Sequence, residues 1–174
     1  MAYRLFIPQQ AVGANLVYFD FFNATGSGAR IQLLSVQTIV SGATAVTGVV
    51  GVDLFLTRTS AIGTGGTLAT AEGTSLTAAT IVGIDNTQSI PGGITARLTP
   101  SGGATAGAVI GWISVSTEET NAGTYTPAPD LVRQGLEATG IYINENSGVR
   151  VVQSAVASVG NIGFNVAFNL VGGR

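Results

Sequence analysis

The feature that most constrains the fold is a two-residue alternation of large apolar side chains, which recurs along the whole sequence. It is clearest near the C-terminus, where small or polar residues alternate with Ile162, Phe164, Val166, Phe168 and Leu170. Successive side chains of a strand point to opposite faces, so this spacing predicts a strand with one face in a core. A 3.6-residue period is not sustained over three turns anywhere, and helices are therefore predicted to be minor.

Similar segments, joined by turns rich in glycine, asparagine and serine, cover most of the chain. Besides the last strand, strands are predicted at Tyr3–Ile7, Asn15–Phe22, Arg30–Val40, Val49–Thr59, Ile94–Leu98, Ala106–Ser116, Ile141–Asn144 and Val149–Ala157. Asn15–Phe22 is apolar on both faces around Asp20, which predicts burial on both sides or contact with a partner. About eight to ten strands at this spacing predict an all-β fold, a single jelly-roll-like antiparallel β-sandwich with long Gly/Thr-rich loops, spanning residues 1–174.

Three segments depart from this regular pattern. Residues 1–12 hold a short strand interrupted by Pro8, and we expect them to form an N-terminal contact arm. Residues 61–80 are nearly all Gly, Ala, Thr and Ser and predict a surface loop excursion, either a floppy insertion or an arm that orders on assembly. In the polar stretch 117–139, Leu131–Leu136 is predicted to form one helical turn.

The scarcity of charge indicates a surface that is covered in the working state. Charged residues make up 9% of the chain, against roughly 25% in an average soluble protein, and the mean hydropathy is +0.45. All seven basic residues are arginine, which suits interfaces better than lysine. Genomic bias explains the same preference, and both interpretations stay open.

The residue types that are missing exclude most catalytic chemistry. Without histidine, cysteine or lysine there is no common nucleophilic triad, zinc site, Schiff base or phosphate-binding loop. Carboxylates remain as candidates for a glycosidase-like pair, but they are more typical of solvated turns; they are Asp53, Asp85, Glu118, Glu119, Asp130, Glu137 and Glu145. We expect no enzyme activity, cofactor or metal site.

Charge and hydropathy patterns also argue against nucleic-acid and membrane partners. The net charge is −2 and no basic cluster exists that could neutralise a run of phosphates. Two long uncharged stretches, Ile31–Val52 and Val151–Gly173, contain polar residues, glycines and β-branched residues throughout. They are predicted to be strands with turns, since a spanning helix needs about 20 mainly apolar residues.

Three aromatic residues are candidates for stacking on sugars. Trp112 lies within an apolar strand and is predicted to belong to the core. Tyr125 lies in the polar loop and is the better candidate for an exposed contact, with Tyr142 as a further one.

The order of segments resembles a known family. A run Val49–Arg58 is followed by a Gly/Thr-rich excursion, then by Ile141–Asn144, a turn, and a final strand containing Phe164–Leu170. This is similar to the small β-sandwich head proteins of tailed bacteriophages, the decoration or cement proteins that bind the outside of the capsid lattice. The resemblance covers most of the chain from about Arg30 and contains no motif with a unique signature.

The resemblance implies a virion structural protein on the capsid exterior, made in the host cytoplasm. Its partners would be the major capsid protein and copies of itself, with a homotrimer favoured. Candidate interface residues are Tyr3, Leu5, Phe6, Ile7, Tyr18, Phe22, Leu68, Leu76 and Tyr125. Two alternatives stay open: a receptor- or glycan-binding head of a phage fibre or spike, and a self-assembling coat or fibre subunit.

Overall fold

The computed structural model of the chain describes residues 2–40, 47–75, 77–85, 89–103, 105–117, 129–132 and 140–172. Within this part of the chain the regular elements are all strands: β1 Ala2–Ala11, β2 Val17–Asn23, β3 Ala29–Val40, β4 Gly51–Thr59, β5 Thr67–Leu68, β6 Thr70–Ala71, β7 Thr80–Gly83, β8 Ile94–Leu98, β9 Ala106–Ser116, β10 Ile141–Ile143, β11 Ser147–Gln153 and β12 Asn161–Gly172. The predicted all-β class is confirmed. The predicted helical turn at Leu131–Leu136 lies mostly outside the described residues.

The strands form two six-stranded sheets that pack face to face as a β-sandwich. Sheet A has the order β10-β3-β12-β1-β7-β6, and sheet B has the order β5-β8-β2-β11-β4-β9. Four antiparallel pairs are nested in sequence: β1 with β12, β2 with β11, β3 with β10 and β4 with β9. Successive pairs alternate between the sheets, which is the connectivity of a jelly roll.

The core lies between the inner faces of the two sheets and is held by aromatic rings. Phe164 packs edge-on against Tyr18 and Phe19, with ring centroids 5.2 and 5.4 Å apart. Phe168 packs against Phe21 at 4.8 Å and against Tyr3 at 5.4 Å. All six rings have no exposed surface. The predicted inward face of the last strand is confirmed, and β2 is buried on both of its faces.

The segment between β4 and β9 is built into both sheets. β5 and β8 extend sheet B beside β2, while β6 and β7 extend sheet A beside β1. Its path depends on glycine at Gly66, where φ is +62° and an added Cβ would lie 1.9 Å from the carbonyl oxygen of Leu98. The predicted loop excursion at 61–80 is thus largely exposed, but its short strands pair with strands of the sandwich. Strand β7 was not predicted.

The N-terminal segment differs from the predicted contact arm. β1 lies inside sheet A, paired with β12 on one side and β7 on the other. Its Tyr3, Leu5 and Ile7 side chains have no exposed surface. The reason is the alternation of side chains along β1, which directs three apolar side chains to one face. Burying that face in the core removes apolar surface from water and stabilises the fold.

Candidate interaction surface

The sheet edges differ sharply in length, and β9 forms the longest of them. Sheet A ends in β10 and β6, of three and two residues, and sheet B ends in β5, of two residues. At the other edge of sheet B, β9 runs for 11 residues, AGAVIGWISVS, without a charge or a proline. Natural proteins usually blunt such edges with charges, prolines, bulges or short strands, because unpaired N–H and C=O groups attract other strands. Of these devices, β9 has register shifts against β4 between Leu56 and Thr59.

The outer face of sheet B carries a ring pair next to this edge. Trp112 on β9 is 58% exposed, and its ring lies stacked beside that of Phe55 on β4, with centroids 6.4 Å apart and planes 13° apart. The prediction that Trp112 belongs to the core is therefore wrong. Its neighbour Ile113 points inward opposite Leu54, and a strand sends the next side chain to the opposite face.

Apolar side chains continue from this ring pair across the sheet. Val152 on β11 lies opposite Phe55, and Val17 on β2 lies opposite Val152. Both are partly exposed. We call Trp112, Phe55, Val152 and Val17 the outer apolar patch. It crosses four neighbouring strands from the β9 edge towards the middle of sheet B.

A shallow groove begins where the patch ends. It has a volume of about 430 Å³ and is lined by Ala14, Asn15, Leu16, Val17, Pro100, Ser101, Gly102 and Arg150. Its walls combine apolar and polar side chains, and Arg150 brings a positive charge to it. The groove and the patch share Val17, so the two form one continuous surface.

Beneath this surface lies the buried carboxylate of Asp20. Its Oδ2 accepts the backbone N–H of Gly63 at 2.7 Å, and it lies opposite Arg97 on β8 and Arg150 on β11. Burial raises the pKa of Asp20, while the Gly63 N–H and the two arginines act in the opposite direction. Asp20 has no exposed surface, which leaves it a structural role.

Three of the carboxylates that were candidates for catalysis are each held by hydrogen bonds within the chain. Asp53 accepts a hydrogen bond from the Ser114 hydroxyl. Asp130 accepts one from the Ser35 hydroxyl at 2.5 Å, and others from the N–H groups of Val36 and Val132.

The third of these, Glu145, accepts the backbone N–H groups of Gly28 and Gly26, which lower its pKa. Across the described residues no three acidic, histidine or cysteine side chains form a metal cluster. Glu118, Glu119 and Glu137 lie outside the described residues.

The structure places most of the predicted interface residues away from the surface. Tyr3, Leu5, Ile7, Tyr18 and Phe22 are buried. The Tyr18 hydroxyl donates to Oε1 of Gln153 at 2.6 Å, deep in the fold. The side chains of these five residues therefore pack in the core of the chain and do not form an exposed contact surface.

The remaining predicted interface residues divide between the surface and the part of the chain that is not described. Phe6 is partly exposed, and Leu68 on the short edge β5 is 51% exposed. Leu76 and Tyr125 lie outside the described residues. Tyr142 is 38% exposed, and the guanidinium of Arg30 lies 4.2 Å from its ring centroid.

Sequence reasoning missed the outer apolar patch, although one signal for it was present. The run 106–116 is the longest predicted strand with neither a charge nor a proline after residue 60. Such a strand is usually found in the middle of a sheet or against a partner, because an exposed edge of this kind attracts other strands. The sequence does not reveal that its position is an edge, since strand order is a tertiary property.

Comparison of the chain with protein-family models, with curated proteins and with solved structures finds no match. None of the described segments forms a helix of the length and apolar character required to span a bilayer.

Proposed function

We propose that this chain is a virion structural protein, a capsid decoration protein that binds the outside of a coat lattice by protein–protein packing. The observation that carries the proposal is the outer apolar patch, with Trp112 58% exposed on a rigid jelly-roll sheet. Contiguous exposed apolar patches mark contact sites, and tryptophan is enriched among the residues that dominate binding energy.

The chemistry of the surface favours packing over catalysis. Asp53, Asp130 and Glu145 are each engaged by hydrogen bonds within the chain. The patch contributes on the order of 25 cal/mol for each Å² of apolar area it buries, before ordering costs. A lattice presents many equivalent sites, and linked copies bind such sites with added avidity.

The partner we propose is the major capsid protein of a tailed phage, with the protein located on the capsid exterior after synthesis in the host cytoplasm. The low charge of the chain, 9% of residues, supports contact with protein over contact with phosphate-rich nucleic acid. The proposal includes no enzymatic step and no cofactor.

The test is co-sedimentation with assembled, undecorated capsid shells of tailed phages. We expect the natural chain to sediment with the shells, and Trp112→Ser to reduce its affinity at least about tenfold, as for a central aromatic contact. Tyr142→Ser is the matched control, since Tyr142 is also an exposed ring, 38% accessible, but lies on sheet A. Equal binding by both variants, or no binding by the natural chain, would refute the proposal.

A second candidate is a glycan- or receptor-binding head. The Trp112 ring with Asp53 and Ser114 beside it on the same face, next to a groove containing Asn15 and Arg150, offers stacking and hydrogen-bonding groups for a sugar. A glycan array in which the natural chain gives hits and Trp112→Ser does not would favour this function over capsid decoration.

A further inference from the structure

We infer that β9 pairs with β9 of a second copy of this chain, antiparallel and across a two-fold axis, so that two sheets B join edge to edge. This inference deepens the proposed function by naming one of its partners. It concerns the edge of sheet B, whereas binding to the capsid was assigned to the face of that sheet.

The first step is the hydrogen-bonding capacity of the edge. β4 pairs with β9 from Gly51↔Ser116 to Thr59↔Ala106, and this occupies one side of β9 only. No other strand within the described part of the chain pairs with its far side. Along an edge strand about half of the residues direct their N–H and C=O groups outward, which leaves a long row of groups for a partner strand.

The second step is that the contact of Leu131 with β9 lies on the inner face of the sheet and not along its edge. Leu131 approaches β9 from the inner face: an added Cβ at Gly111 would lie 2.4 Å from its carbonyl oxygen and 3.3 Å from Cβ of Leu56, whose side chain is fully buried. Leu131 therefore fills the space between the sheets. On the outside, Val109 is 57% exposed and Trp112 58% exposed.

The third step identifies the partner as a second copy. Two-fold pairing places a strand against itself, so any charge near the axis meets its own like charge; β9 carries none over its 11 residues. Among the described strands, every other sheet edge is two or three residues long. Pairing β9 with a different described edge of another copy would leave most of the row unsatisfied, whereas self-pairing sets two rows of equal length against each other.

The geometry also links the pair to the outer apolar patch. A two-fold axis perpendicular to a continuous antiparallel sheet keeps the outer faces of both copies on the same side. The two patches, each beginning at Trp112 on β9, then adjoin across the axis. A pair would present both rings to one coat surface, and two linked contacts bind more tightly than one. The contact is two-fold, in contrast to the trimer that the family resemblance implies.

The experiment measures native mass against concentration for the natural chain and two variants. We expect a discrete species of twice the 17.5 kDa chain mass. Val109→Lys places a charge on the edge and should raise the dissociation constant of the pair at least about tenfold. Val156→Lys is the control, because Val156 is 53% exposed but lies in the loop after β11, and it should change the constant less than about twofold.

Cysteine cross-linking locates the contact, since the natural chain contains no cysteine. Single cysteines at Val109, Trp112 and Ser114 should give disulfide-linked dimers, strongest at the position closest to the axis, where Cα atoms of the two copies come within about 7 Å. Cysteine at Val156 should give none.

The outcomes separate this inference from the proposed function. A monomer at all concentrations, a trimer, a large particle, or equal effects of the Val109 and Val156 variants would overturn β9 pairing. A dimer that does not bind coat shells would overturn only the decoration function. A monomer that binds coat shells would overturn only the pairing of β9.

Discussion

Replacing Asp20 by asparagine should leave the folded state as stable as the natural chain, or more stable, near neutral pH. Burial raises the pKa of this carboxyl despite the nearby Arg97 and Arg150, so the folded state disfavours its ionised form relative to the unfolded state. Asparagine removes the charge and keeps an oxygen that can accept the Gly63 N–H. We expect a change in unfolding free energy between zero and about 1 kcal/mol in favour of the variant, because the desolvation penalty of this buried charge exceeds its attraction to the two arginines.

Asp20→Ala is the matched comparison and should be destabilising. It removes the acceptor 2.7 Å from the buried N–H of Gly63, and an unsatisfied buried donor costs about 1–3 kcal/mol. Lost packing under the segment around Gly63 adds to this cost. We expect Asp20→Ala to be about 2–3 kcal/mol less stable than Asp20→Asn.

The pH dependence tests the reasoning directly. A raised folded pKa means that, between the ordinary value of 3.8 and the raised pKa, the folded chain keeps a proton that the unfolded chain has lost. Stability of the natural chain relative to Asp20→Asn should therefore fall as the pH rises from 3.8 through the raised pKa. Urea unfolding of both proteins, followed by circular dichroism across this range, measures the difference. A relative gain in stability with rising pH would show that Arg97 and Arg150 outweigh burial, and would refute the argument.

Two further predictions concern the core and a turn. Phe164→Ala should lower the free energy of unfolding by about 3–5 kcal/mol in chemical denaturation, because the ring has no exposed surface and packs against Tyr18 and Phe19. Trp112→Ala, at the surface, should lower it by less than about 1 kcal/mol. Equal losses would contradict this assignment of core and surface. Glu145 should titrate below its ordinary pKa of 4.5, since the N–H groups of Gly28 and Gly26 stabilise the carboxylate. Its stabilising contribution should be present above 4.5 and vanish as the pH falls through the lowered pKa, and an NMR titration midpoint at or above 4.5 would count against these bonds.

Local pattern was sufficient to predict which residues share a strand. Ile94–Leu98 and Ala106–Ser116 have the predicted bounds, and the inward face of β12 is confirmed. The alternation of side chains across a strand is a property of the backbone and needs no knowledge of neighbours. β7 escaped prediction because its four residues, TIVG, are too few to show a period.

The candidate site was much less predictable from the sequence. A period of two identifies two faces but not which of them meets the other sheet. In β9, Ile113 points inward opposite Leu54, so the alternation sends Trp112 outward, against the prediction of a core residue. The N-terminal strand shows the converse: its Tyr3 and Leu5 are suited equally to a contact with another protein and to the core, and the core contains them.

By itself, the sequence determined the all-β class, the positions of most strands and the absence of the usual catalytic side chains, because each depends on residue type or on spacing along one strand. Only the tertiary structure decided that β9 is an edge, that Trp112 is exposed beside Phe55, and that Asp20 lies buried between Arg97 and Arg150. These features depend on which distant strands become neighbours. That choice is made by the packing of both sheets at once, through contacts between residues far apart in the chain.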